Sequence, residues 1–269
     1  MEPTSLEIAD IHSLINAADV AAGTFQTEIW WRGQAQRWPL LPCIYRENVC
    51  RPVYSERCER DMCGRFLVGA SQRHTKWPEG DHPHTLAAMQ HYGLPTRLLD
   101  WTESPLFAVL FSLLDRDHDE EDGVLWALCP SQLNHTEQGK PSSLLSPYTN
   151  PEIMLLFKTP FGVLKNNELP PIKNAAVILR QIDIRMTVQL SAFTIHGRTT
   201  PLDQSAEGEK YLLGFPIPKK TKDDLRKELF RLGIRESNIF PDLEHLAKEI
   251  KEWGGRENYV VQNSPPNSE

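Results

Sequence analysis

Polar side chains capable of chemistry gather in three short stretches of this 269-residue chain, each set among apolar neighbours. The first is Arg32-Gly33-Gln34, directly after Trp30-Trp31. A guanidinium is a planar fork of donors matched to phosphate or carboxylate, and glycine lets backbone come close to a ligand. The same Arg also fits a structural role, paired with a buried Asp to hold the fold. The second stretch, "MQHYGLPTRLLDW" (89–101), carries Gln90, His91, Tyr92, Thr96, Arg97 and Asp100 in what reads as a loop between two apolar helices. Loops held by rigid elements are where sites tend to sit. Arg97 and Asp100 equally read as an ion pair tying that loop down, and His91 as a half-buried imidazole. The third, "LRQIDIRMTVQLSAFTIHG" (179–197), is apolar apart from Arg185, Gln189, His196 and a few others. A Gln among strand residues can simply satisfy backbone groups.

The elements that must position these groups follow from hydrophobic periodicity. Residues 5–20 space Leu6, Ile8, Ile11, Leu14 and Ile15 as a short amphipathic helix. "TEIWWRGQ" reads as a strand running into a turn at Gly33. Residues 55–74 start at a Ser cap and put Cys58, Met62, Phe66 and Ala70 on one helical face. "HTLAAMQHYG" is a short helix stopped by Gly93. From Leu106 to Leu114 every residue but Ser112 is apolar, which predicts a helix buried on most sides, with Thr102 as its cap and Pro105 in its first turn. "GVLWALCP", "AAVILRQIDI", "LSAFTIHG" and "KYLLGFPIP" read as strands, and "TKDDLRKELFRLGI" and "PDLEHLAKEIKEW" as closing amphipathic helices. The acidic run at 115–123 reads as a solvated turn and the Ser/Pro/Asn-rich stretch at 136–154 as a long excursion. The interleaving predicts an α+β fold: a single domain with a mixed or antiparallel central sheet flanked by helices.

Composition narrows the function. A net charge of −7 argues against broad nucleic-acid binding, which needs basic surface. No apolar run approaches the ~18 residues that would span a bilayer, and the acidic N-terminus lacks a signal-peptide pattern. A cytoplasmic protein without a membrane partner is expected. Cys43, Cys50, Cys58 and Cys63 cluster without CxxC spacing, and Cys129 stands apart. A zinc site from these with His74, His82 or His84 is conceivable, but ordinary thiols of a reducing compartment are the expected state.

Taken together, "WWRGQ…PLLPCIYR", "MQHYGLPTRLLDWTESPLFAVLFSL", "RQIDIR…VQLSAFTIHG" and "FPIP…IFPDLEHLAKEI" resemble the FRG domain family. That family is named for an aromatic-Arg-Gly motif, here Trp31-Arg32-Gly33, with Trp in the place of Phe or Tyr. The resemblance covers residues 24–250, after an N-terminal helix and lead-in (1–23) and before a C-terminal tail (251–269). It implies an accessory module of bacterial or phage proteins with a role in conflict or defence. The layout also resembles, by analogy, a distant ADP-ribosyltransferase fold, with Arg32-Gly33, Thr96 to Phe111, and Gln189 at the three characteristic places. Gln189 stands where that fold supplies a Glu, so the negative charge must come from Asp100, Glu103 or Glu209.

The expected site follows: Arg32, Gln189 and Asp100 catalytic; Gly33, Gln34, His91, Tyr92, Thr96, Arg97 and His196 ligand-binding; no metal. No resident cofactor is expected, and NAD is the expected substrate of an ADP-ribosyltransferase or NAD hydrolase. The alternative is a non-catalytic module for a nucleotide or a protein partner.

Overall fold

The computed structural model describes residues 4–254, apart from 48, 50–53, 74–76, 79, 140–143 and 165–170. In chain order its principal elements are α1 (Ile11–Phe25), β1 (Trp30–Gln34), α2 (Glu56–Arg73), α3 (His82–His91), β2 (Leu98–Thr102), α4 (Pro105–Leu114), β3 (Gly123–Leu128) and α5 (Pro130–Gln138). There follow α6 (Pro151–Lys158), β4 (Asn174–Val177), α7 (Ile184–Val188), β5 (Ser191–His196), β6 (Leu212–Ile217), α8 (Lys222–Arg231), α9 (Glu236–Ile239) and α10 (Leu243–Gly254). Among the described residues the strands form one antiparallel sheet in the order β4-β5-β2-β1-β3-β6, the α+β architecture that the sequence predicts.

The sheet is not equally knit across its width. β2 pairs with β5 over five residues and β1 with β3 over five. The central β1–β2 seam is held at a single register pair, Trp31 opposite Thr102. Beyond that pair, toward Gly33 and Asp100, the two strands part.

Side-chain alternation explains how the core is divided. Successive residues of a strand face opposite sides. Trp31, Leu125, Ala127, Phe215 and Ile217 face one side, under α1, α4 and α8. Leu98, Phe193, Ile195, Ala175 and Val177 lie on that same side further along the sheet, under α2, α3 and α6. The opposite side carries Trp30, Leu99, Trp101, Trp126 and Leu212 against α5. The first two clusters share a face yet stay separate, and the interval between them falls at the parted seam.

The structure corrects several local expectations. β1 does not turn at Gly33; it runs through it to Gln34. A Cβ at Gly33 would fall 1.8 Å from the Ala108 carbonyl oxygen, so glycine is required because the α4 backbone crosses the strand there. Leu98–Thr102 is a central strand, where the motif had read as loop. The cap of α4 is therefore Ser104, whose Oγ accepts from Phe107 N, and not Thr102. α2 buries Glu59 and Cys63, while Cys58, Met62, Phe66 and Ala70 are only half-buried. The N-terminal helix starts later and extends further than its periodicity predicted, with Leu14, Ala17 and Ala21 in the same core as α4. The stretch 136–154 is partly regular, holding the end of α5, a bridge from Leu145 to Val177 and the start of α6. Cys50, His74 and the tail from residue 255 lie outside the described residues.

Candidate active site

At the parted seam lies a cleft of about 310 Å³, lined from four directions. β1 contributes Trp31, Arg32 and Gly33; β2 contributes Asp100, Trp101 and Thr102. The C-terminal turn of α3 adds Ala87, Gln90 and His91, and α4 adds Phe111. The segment of α7 and β5 closes the far wall with Arg185, Met186, Gln189, Ser191 and Phe193.

Asp100 is exposed within this cleft. Its Oδ2 accepts from Gln90 Nε2 at 2.7 Å, and Gln90 Oε1 in turn accepts from the buried Thr96 hydroxyl at 2.5 Å. Thr96 Oγ1 also accepts from Leu98 N at 3.1 Å. This chain makes the carboxylate's orientation a property of the backbone between α3 and β2. It explains in physical terms why Gln90, Thr96 and Asp100 occur together.

Arg32 begins on the sheet face of Trp30 and reaches across the seam, where its Nη1 donates to the Asp100 carbonyl at 2.7 Å. Its Nε is buried with no hydrogen-bond partner among the described residues. Burial pulls its pKa down to about 10, Asp100 pushes it back up and Arg46 adds a further depression; the group stays cationic at neutral pH. On the far wall Arg185 lies over the Phe240 ring, 4.3 Å from its centroid. Burial lowers its pKa, against the pull of Asp100, Asp183 and Asp242. One carboxylate thus sits in the field of two guanidinium groups. His91 Nε2 approaches Asp183 Oδ2 at 3.9 Å, linking the α3 and α7 walls.

Of the residues predicted from sequence, Arg32, Gly33, His91, Asp100 and Gln189 meet at the cleft. Gln189 does so differently from expectation. It caps the C-terminus of α7 and does not sit on a strand, and its Nε2 donates to the Ile239 carbonyl at 2.9 Å. Its backbone oxygen accepts from Thr102 Oγ1 at 2.7 Å. Its amide therefore fastens the α9 end to the cleft wall.

The other five do not line the cleft. Gln34 is buried and accepts from Trp126 Nε1 at 2.9 Å, its Nε2 lacking a partner among the described residues. Tyr92 is 70% exposed and packs edge-on against His91. Thr96 lies behind the cleft, as described. Arg97 is buried against Glu59, with Nε to Oε1 at 3.0 Å and Nη2 to Oε2 at 2.5 Å, and a further contact to Tyr54. Burial alone would lower the Arg97 pKa, but the Glu59 hydrogen bond overrides it and the group is raised. His196 is fully buried beneath the sheet, where its Nε2 meets Thr194 Oγ1 at 3.0 Å. Burial first, then Arg32 and Arg97, pushes it down to about 3, so it is neutral.

Sequence reasoning missed Glu59, the buried partner of Arg97, and Phe240, the ring under Arg185 and far along the chain from it. Arg185 was visible as a charge punctuating an apolar stretch but stood outside the expected site. Glu103 and Glu209 are exposed and neither lines the cleft. No group of three or more His, Cys, Asp or Glu suited to a metal occurs among the described residues, where Cys43, Cys58, Cys63 and Cys129 are free thiols. No helix among them is long and apolar enough to cross a membrane.

Compared with known proteins, residues 27–121 match the family model of the FRG domain. No curated protein and no solved structure matches the chain. The matched residues span β1 to α4 and so hold Arg32, Gln90 and Asp100; Arg185, Gln189 and Phe240 lie beyond them.

Proposed function

This chain carries an FRG domain over residues 27–121, and we propose that its cleft binds NAD and cleaves the nicotinamide–ribose bond. The observation that carries this reading is one exposed carboxylate, Asp100, sharing a cleft with Arg32 and the aromatic residues Trp31, Trp101, Phe111 and Phe193. The volume is at the low end of small-ligand sites, about 300–1,000 Å³, which suits one nucleotide half with the remainder at the rim.

Each part has a task in that reaction. As the C–N bond breaks, its electron pair leaves with nicotinamide and positive charge develops on the ribose ring, as in glycoside cleavage. Asp100, fixed by Gln90 and Thr96, places negative charge where that cation forms, in a setting that needs no reorganisation. Arg32 offers its cation to the pyrophosphate. The aromatic walls take the nicotinamide ring by offset or edge contact. Water, or a nucleophilic side chain of a target, then bonds to the ribose carbon and loses a proton, giving hydrolysis or ADP-ribosyl transfer. The resemblance to ADP-ribosyltransferases supports this reading as analogy; the position of Asp100 supports it independently.

The test is release of nicotinamide from NAD by the wild-type protein, with Arg32→Ala and Asp100→Asn each lowering the rate by about 100-fold or more. Equal turnover by wild type and both variants sinks the proposed site. A second reading, a nucleotide-binding module without turnover, is favoured by the engaged amide of Gln189 and by Asp100 being the one carboxylate that lines the cleft among the described residues. Binding of NAD or ADP-ribose with no nicotinamide release would establish it.

A further inference from the structure

Cleavage at Asp100 draws on Arg32 and the aromatic walls and leaves Arg185, on the far wall, without a task. That wall is built from chain remote in sequence. Arg185 is the second residue of α7, whose cap Asp183 accepts from Arg185 N at 2.7 Å, so the residue's backbone is held at the helix start. Its guanidinium is half-buried and lies on the Phe240 ring. Phe240 is itself held on three sides. His245 stacks on it with ring centroids 4.4 Å apart, Phe111 meets it edge-on at 6.2 Å, and the carbonyl of the preceding Ile239 is gripped by Gln189. The aromatic platform under Arg185 is therefore fixed, while among the described residues no carboxylate oxygen is hydrogen-bonded to its guanidinium. The fork stands in the cleft with its donors available.

From this arrangement we infer that Arg185, positioned by Phe240, is the residue that reads phosphate on the ligand, so that the cleft takes phosphate-bearing nicotinamide nucleotides and discriminates against the bare nucleoside. The inference rests on the NAD reading of the cleft and adds a specificity determinant to it. A cation resting on an aromatic face keeps its in-plane N–H groups free, which suits a planar fork to a phosphate oxygen pair. Arg185 and Arg32 line the same cleft and both lie within the electrostatic reach of Asp100, so a ligand with its ribose at Asp100 can present phosphate to either. Hydrogen bonds to a charged group contribute about 1.5–3 kcal/mol, which corresponds to a discrimination of about 10- to 100-fold.

Calorimetric titration of the full chain with NAD, nicotinamide mononucleotide and nicotinamide riboside tests this. Wild type should bind the mononucleotide about 10- to 100-fold more tightly than the riboside. Arg185→Ala should lower that ratio by about 10-fold or more while riboside affinity holds, any remaining preference coming from Arg32. Arg185→Lys should keep an intermediate ratio, since a point charge attracts phosphate without the fork. Phe240→Leu should lower the ratio and Phe240→Tyr restore it, which marks Phe240 as a positioning residue. The proposal is overturned if Arg185→Ala weakens both probes equally or leaves the ratio unchanged. A wild type that shows the ratio but releases no nicotinamide refutes the cleavage reading and leaves the phosphate role intact. Turnover of NAD with a ratio indifferent to Arg185 does the reverse, and absence of binding by all three probes overturns both.

Discussion

Arg32 and Arg97 are the two arginines the motifs put forward, and they occupy opposite electrostatic situations. Arg97 is bound at two nitrogens by Glu59, with side chains 4% and 2% exposed, and Tyr54 adds a third contact. Arg32 is half-buried, donates one bond to a backbone carbonyl, and keeps a buried Nε without a partner among the described residues. Both are charged and both sit at central strands. A guanidinium held at two nitrogens by a buried carboxylate serves to lock α2 against the start of β2. An unsaturated one beside a cleft retains donors for something else. The comparison teaches that a motif arginine's role follows from its partner count and not from its prominence in the sequence.

The sharpest way to break this contrast is to remove Glu59. Glu59→Ala leaves Arg97 buried and uncompensated, and should cost about 3–5 kcal/mol in urea unfolding. The paired change Arg97→Met with Glu59→Leu should recover most of that loss, because two well-packed apolar groups can replace a buried ion pair. Arg32→Ala should behave in the opposite manner. Its stability should move by less than about 1 kcal/mol, since it leaves no buried carboxylate unpaired, while nicotinamide release falls as stated above. A large stability loss at Arg32 with turnover intact would erase the distinction.

A pH-dependent effect separates the buried His196 from the cleft. The unfolded imidazole takes up a proton near its ordinary 6.5, whereas the folded one is held down to about 3. The unfolded state therefore binds more protons below 6.5, and stability should decline as pH falls from 6.5 toward 3, by up to about 1.4 kcal/mol per pH unit. His196→Gln should flatten that slope; an unchanged slope would show that other groups govern it. The smallest effect belongs to Tyr92. With its side chain in solvent, Tyr92→Ala should shift stability by no more than about 0.5 kcal/mol and leave NAD binding as in wild type. A marked loss of binding would return Tyr92 to the site.

Much of the framework was legible before any coordinates. The near-continuous apolar run in "GVLWALCP" and "LSAFTIHG" is strong because both faces of a central strand are buried, and β3 and β5 appear where that pattern puts them. "TRLLDWT" misled because Leu98–Leu99 and Trp101 flank a charged Asp100, and a carboxylate inside a central strand breaks the apolar run that marks one. The same break is what creates the cleft. Gln189 misled for a related reason: five helical residues ahead of β5 are too short to show a periodicity of their own.

By itself the sequence determined the α+β class, the apolar α4, and the closeness of His91 to Asp100, because these follow from local pattern and from a motif continuous in the chain; the meeting of Arg32 with Asp100, 68 residues on, did not. Only the tertiary structure decided which of the polar groups face solvent and which face each other. Arg97 and Glu59 are 38 residues apart, and Arg185 and Phe240 are further separated still. Whether a charge is neutralised by a partner or left open to a ligand depends on contacts at that range, and residue type and spacing carry no record of them.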